Sequence, residues 1–113
     1  MSGTPSAYDV EKFRLAEDTS QDVSFYESAD IENGILTIYG HWLGEDLERV
    51  FGRDEHEYTY TFTAESTLKL LKLLPDGLSD PKGALIASFG VAWGGALRKF
   101  CENNDIYYKM WTY

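Results

Sequence analysis

From Glu57 to Thr63 the chain reads Glu-Tyr-Thr-Tyr-Thr-Phe-Thr, polar and aromatic residues in strict alternation. Side chains along a strand point alternately to opposite faces. Tyr58, Tyr60 and Phe62 therefore share one face, and Glu57, Thr59, Thr61 and Thr63 share the other. A helix would scatter the same aromatics around its axis. The segment predicts a half-buried strand of an antiparallel sheet, with one face packed and the other wet. A second constraint lies upstream. Val23-Ser24-Phe25-Tyr26 is rich in strand formers and leads through Ser28-Ala29-Asp30 to Asn33-Gly34, after which Ile35-Leu36-Thr37-Ile38-Tyr39 resumes the pattern. Asn-Gly between two apolar runs signals a hairpin, because both turn residues tolerate positive φ.

Helical period takes over after Thr63, which is placed to cap a helix over Ala64 to Leu74. Thr67, Leu70, Leu71 and Leu74 form its inward stripe, with Lys69 and Lys72 alongside. Pro75-Asp76-Gly77 stops it. Asp80-Pro81 starts another, Asp as N-cap and Pro at the first helical position. There Leu85, Phe89 and Trp93, four apart, share a face until Gly94-Gly95 interrupts. Ala96 to Glu102 reads as a further helical piece burying Leu97, Phe100 and Cys101. Asn103-Asn104 suits its end, where Asn tolerates the left-handed conformation. Ile106 to Tyr113 reads as a closing strand. Gly40 and Gly44 bracket a bend carrying His41, Trp42 and Leu43, and Glu45 to Phe51 reads as one or two helical turns ended by Gly52. Val10, Phe13 and Leu15 fit a short strand and a helical turn equally well. The expected fold class is α+β: a mostly antiparallel sheet with two or three helices packed on one face. Residues 1–21 read as a flexible or loosely docked N-terminal lead-in, and 22–113 as a single α+β domain.

A chain of 113 residues buries roughly two-thirds of its unfolded surface, enough for a core without metal or disulfide staples. Its aromatic content of 15% opposes disorder. No run approaches the roughly 18 apolar residues of a membrane helix, and the first 13 residues lack the basic and apolar regions of a secretory signal. The single cysteine, Cys101, cannot form an intrachain disulfide and reads as a small buried hydrophobe. A cytoplasmic protein is expected. With 19 acidic and 10 basic residues the net charge is −9, which disfavours direct nucleic-acid binding and favours basic partners.

Catalytic and metal motifs fail on their spacing. His56-Glu57 opens like a zinc-protease pattern, but Tyr60 stands where the second His belongs, and the period is that of a strand. Ser88-Phe89-Gly90 lacks the preceding glycine of a nucleophile elbow, because Ile86 stands there. Gly90, Gly94 and Gly95 are not followed by Gly-Lys-Ser/Thr. The acidic residues have neither the spacing nor the closing Glu of a calcium loop. No catalytic residue, metal ligand or cofactor is assigned, and the chain does not read as an enzyme.

The candidate partner-binding residues are Glu45, Asp46, Glu48, Asp54, Glu55 and Glu57, two carboxylate clusters flanking Phe51-Gly52, together with Trp42 and Trp111. The carboxylates are either a solvated loop surface or an anionic patch for a basic partner. Tyr26, Tyr39, Tyr58, Tyr60, Tyr107, Tyr108, Trp111 and Tyr113 fall on expected strands. Those on a face without helices are either binding anchors or ordinary cross-strand pairs.

The run Gly34-Ile35-Leu36-Thr37-Ile38-Tyr39-Gly40-His41-Trp42-Leu43-Gly44 also carries a family resemblance, as do Phe51-Gly52, Glu57 to Phe62 with the Leu-rich helix after it, and Phe100 to Tyr108. Over about residues 23–113 the chain resembles a group of small acidic bacterial proteins, some of them similar to immunity proteins of polymorphic toxin systems. These motifs are turn glycines and sheet aromatics, so they bear on fold more than on function. The resemblance implies a tight, stoichiometric inhibitor of a cognate toxin domain, such as a basic nuclease. A monomer or weak homodimer is expected. The alternatives are a housekeeping adaptor or homo-oligomeric interaction module, and a small carboxylate-dependent enzyme.

Overall fold

The computed structural model describes residues 7–19, 23–44, 55–90 and 96–112. Five strands, β1 (Val10–Thr19), β2 (Val23–Glu32), β3 (Ile35–Gly44), β4 (Glu55–Phe62) and β5 (Tyr108–Thr112), form one sheet in the order β1-β2-β3-β4-β5. Every neighbouring pair is antiparallel. Three helices, α1 (Ala64–Leu73), α2 (Pro81–Phe89) and α3 (Ala96–Asn103), stand between β4 and β5 in the chain. The fold is α+β, as the sequence implies.

Local chemistry sets the element boundaries. The β2–β3 hairpin turns at Asn33 (φ 54°) and Gly34 (φ 79°), both left-handed, as a two-residue type I′ turn requires. Asp9 braces it: its two carboxylate oxygens accept the Asn33 and Gly34 backbone N–H groups at 2.9 Å each. Thr63 caps α1 by accepting from the Ser66 N–H at 3.0 Å. Asp80 caps α2 by accepting from the Gly83 N–H at 3.1 Å, with Pro81 in the first turn.

The core fills the space between one sheet face and the helices. Phe13, Leu15, Ile31, Leu36, Ile38 and Phe62 from the strands meet Leu70, Leu71, Leu85, Phe89, Leu97 and Cys101. α1 packs on β3 and β4, α2 on β1, and α3 on α2. Phe89 and Phe100 meet edge-to-face at 5.6 Å. Thr67 is fully buried, yet both its hydrogen-bonding roles are filled. Its Oγ1 accepts from the Leu36 N–H at 2.9 Å and donates to the Thr63 carbonyl at 2.8 Å. The inward hydroxyl of α1 is thus the clasp between helix and sheet, and leaving it unpaired would be costly. Burial pushes the Cys101 thiol up to about 11, so it stays protonated and inert as a nucleophile.

Several expectations are changed. Residues 10–19, where strand and helical turn were both open, form edge strand β1. The sheet therefore begins inside the stretch set apart as a lead-in. The register shifts between Val10 and Phe13 and again between Arg14 and Ala16. The second shift lets both Leu15 and Ala16 face the core, breaking the alternation a reader of sequence relies on. The bend expected between Gly40 and Gly44 is instead a continuous strand, paired with β2 to its end. The left-handed residue after α3 is Asp105 (φ 54°) rather than Asn103 or Asn104; Asn104 instead donates its side-chain amide to the Phe100 carbonyl at 2.9 Å. The helical turns read at 45–51, and Trp93, lie outside the described residues.

Candidate binding face

The helices cover one side of the sheet, and strand parity decides which side chains are left on the other. Register carries one row straight across all five strands: Arg14, Ser28, Tyr39, Thr59 and Trp111. A second row, Glu17, Tyr26, His41 and Glu57, runs beside it. Among the described residues no helix packs on these rows. Between them lies a shallow trough of about 410 Å³, walled by Lys12 and Arg14 on one side and by His41, Glu57 and Thr59 on the other.

Three aromatic side chains of this face lie beside a cation. Lys12 Nζ sits 3.9 Å from the Tyr39 ring centre, the Arg14 guanidinium 4.8 Å from Tyr26, and Lys109 Nζ 4.6 Å from Trp111. Stacking of this kind is worth about 0.5–1 kcal/mol at exposed sites. The Tyr39 hydroxyl donates to Asp30 at 3.0 Å; burial first, and then the Asp30 carboxylate, raise its pKa and keep it a donor. His41 Nε2 lies 3.6 Å from Glu57 Oε1 across the strand pair. Arg14 also meets Glu17 at 3.1 Å, an exposed ion pair that contributes little to stability. The face is therefore amphoteric and aromatic, with Tyr26 and Tyr39 half-buried and Trp111 exposed.

The covered face holds the other notable constellation. Glu27, Gly40 and Tyr58 lie opposite one another on β2, β3 and β4. Gly40 has no side chain, and the Tyr58 ring lies over it; a Cβ at position 40 would fall inside that ring. Tyr58 thereby reaches across β3, and its hydroxyl donates to Glu27 Oε2. Burial raises the Glu27 pKa, partly opposed by this hydrogen bond. Burial and the Glu27 charge push the Tyr58 phenol well above its ordinary value. Phe25 and Trp42 pack edge-to-face beside them at 5.2 Å. The pair joins a proton donor to a carboxylate, with the Tyr58 ring lying over Gly40 between them.

The structure separates the residues singled out from sequence. Glu57 is exposed on the open face, and Trp111 lies there too at 47% exposure. Trp42 has the opposite parity and is half-buried on the helix side, so the two tryptophans do not share a surface. Glu55 opens β4, but its side chain is outside the described residues, as are Glu45, Asp46, Glu48 and Asp54. Lys12, Arg14 and Ser28 were not singled out from sequence. Counting register outward from the Asn33-Gly34 turn would have placed Ser28 opposite Tyr39, but the bulges in β1 hide the pairing of Arg14. Among the described residues no group of three or more His, Cys, Asp or Glu is placed to hold a metal ion, and no helix is long and apolar enough to cross a membrane.

No family model, curated protein or solved structure matches the chain.

Proposed function

We propose that this chain is a non-catalytic cytoplasmic binding protein of the immunity type, which neutralises a cognate toxin domain by stoichiometric complex formation through its open sheet face. The observation that carries this reading is the set of rings Tyr26, Tyr39 and Trp111, each beside a cation on a sheet face over which no helix packs among the described residues. Tyr and Trp are the usual anchors of protein interfaces. The acidic sequence from Glu45 to Glu55 joins the ends of β3 and β4 and leads directly into Glu57 on the same face. With a net charge of −9, that end of the sheet suits a basic partner and speeds its approach.

The test is a rescue assay. The C-terminal domain of a candidate toxin, sought among large proteins encoded next to this chain, is expressed in a sensitive bacterium with and without it. Growth arrest relieved only by this chain, with a 1:1 complex by calorimetry, is the expected result. Tyr39→Ala with Trp111→Ala should abolish rescue and weaken binding by about 2 kcal/mol or more, as for anchor residues, while leaving the melting temperature nearly unchanged. A toxic neighbour that is not relieved, or full rescue by the double variant, would remove the open face from this role.

A further inference from the structure

The two edges of the sheet are built differently. β1 carries two register shifts and the exposed charges Glu11, Lys12, Arg14 and Glu17. Bulges and charges of this kind are how natural edges avoid pairing with another chain. β5 has neither defence in full. Its five residues, Tyr108-Lys109-Met110-Trp111-Thr112, pair with β4 in unbroken register from Phe62 to Tyr58. No strand lies on its outer side among the described residues. Met110 and Trp111 point to opposite faces of this edge, and both are substantially exposed, at 44% and 47%; Tyr107, just before the strand, is 62% exposed.

We propose that β5 is a self-association edge: two copies of this chain pair β5 with β5, antiparallel about a two-fold axis at Met110, to make one continuous sheet. Charge selects a second copy over the basic partner proposed above. The outer edge of β5, as distinct from the face that Trp111 shares with Tyr39, has no acidic residue along it and one Lys, so strand addition there is a poor match for a basic protein. It is also the edge along which two chains of net charge −9 meet without setting carboxylates against each other. Centring the axis on Met110, the middle of the strand, pairs all five residues. Lys109 then stands directly opposite Trp111 of the other copy, on the same face, because directly opposed residues share a face. The Trp111 ring already accepts the Lys109 of its own chain at 4.6 Å, and the second cation–π contact repeats that chemistry across the axis. On the helix side the exposed Met110 side chains meet each other. A two-fold interface must be self-complementary in this way.

The inference does not rest on the toxin-binding reading, and either can fail alone. Sedimentation equilibrium of the full chain across a dilution series should show a species of twice 12.9 kDa that dissociates on dilution. Because the two bodies repel, added salt should strengthen the association. Met110→Lys and Met110→Glu should both abolish it, although they change net charge in opposite directions, with circular dichroism and melting unchanged. Met110→Leu should keep it. As a measurement free of variants, the amide exchange of those residues among 109–111 whose N–H points away from β4 should slow as protein concentration rises. A monomer at every concentration and salt, a dimer surviving both charged variants, or concentration-independent exchange along β5 would each overturn the proposal.

Discussion

The two faces of the sheet use the same residue types for different ends. On the covered face Tyr58 and Tyr60 are less than one-tenth exposed and work as volume: they pack 5.0 Å apart, and Tyr60 meets Tyr108 at 5.2 Å. On the open face Tyr26 and Tyr39 lie under cations and beside solvent. An aromatic ring is worth most to stability where it displaces water on all sides, and most to recognition where one side remains for a partner. Strand parity alone assigns each ring to one role or the other, and a shift of one residue would exchange them.

The contrast can be broken most severely at Phe62, 2% exposed between β4 and the helices. Phe62→Ala should cost about 3–5 kcal/mol, read as a lowered midpoint in urea unfolding. Trp111→Ala, on the other face, should cost under about 1 kcal/mol, within the range of surface changes. If the two losses are comparable, the open face carries the fold and not a partner.

Gly40 sharpens the comparison from within the covered face. Gly40→Ala puts a methyl group where the Tyr58 ring lies. The ring must swing away, breaking its bond to Glu27, at an expected cost of about 1–3 kcal/mol. Gly40→Ala combined with Tyr58→Ala should recover part of that loss relative to the two single losses added. Simple additivity in a double-mutant cycle would show that the ring and the glycine do not meet.

The smallest effect expected is that of Glu27. Burial raises its folded pKa above the ordinary 4.5, so folding disfavours its charged form. Its contribution is fully present below the unfolded value and is lost as pH rises through the folded one. Wild-type stability should therefore decline as pH rises above about 4.5, within the mildly acidic range. Glu27→Gln, which still accepts from Tyr58, should remove that part of the pH dependence. Parallel curves for the two proteins in urea titrations from acid to neutral pH would mean the carboxyl is not buried in this way.

Much of this fold is legible in the residues. The Asn33-Gly34 turn, the Tyr58-Tyr60-Phe62 stripe, the Thr63 and Asp80 caps and the buried Cys101 all follow from short-range rules of φ, period and hydrogen bonding. Reading by those same rules missed three features. β1 was ambiguous because its bulges interrupt the period. Gly40 reads as a bend, since a glycine in a strand looks the same whether it serves its own backbone or a ring from the neighbouring strand. Trp42 and Trp111 look alike in sequence, and only their parity in the assembled sheet puts them on different sides.

The sequence by itself determined β2, β4, the three helices, the caps at Thr63 and Asp80 and the alternation that makes β4 two-sided, because those depend on neighbours within a few residues. Tertiary structure alone decided which side of each strand faces the helices, that Tyr58 crosses Gly40 to reach Glu27, and that Arg14, Ser28, Tyr39, Thr59 and Trp111 fall in one row. Each of these depends on register between strands up to about a hundred residues apart, and register is fixed by how the whole apolar surface is buried at once.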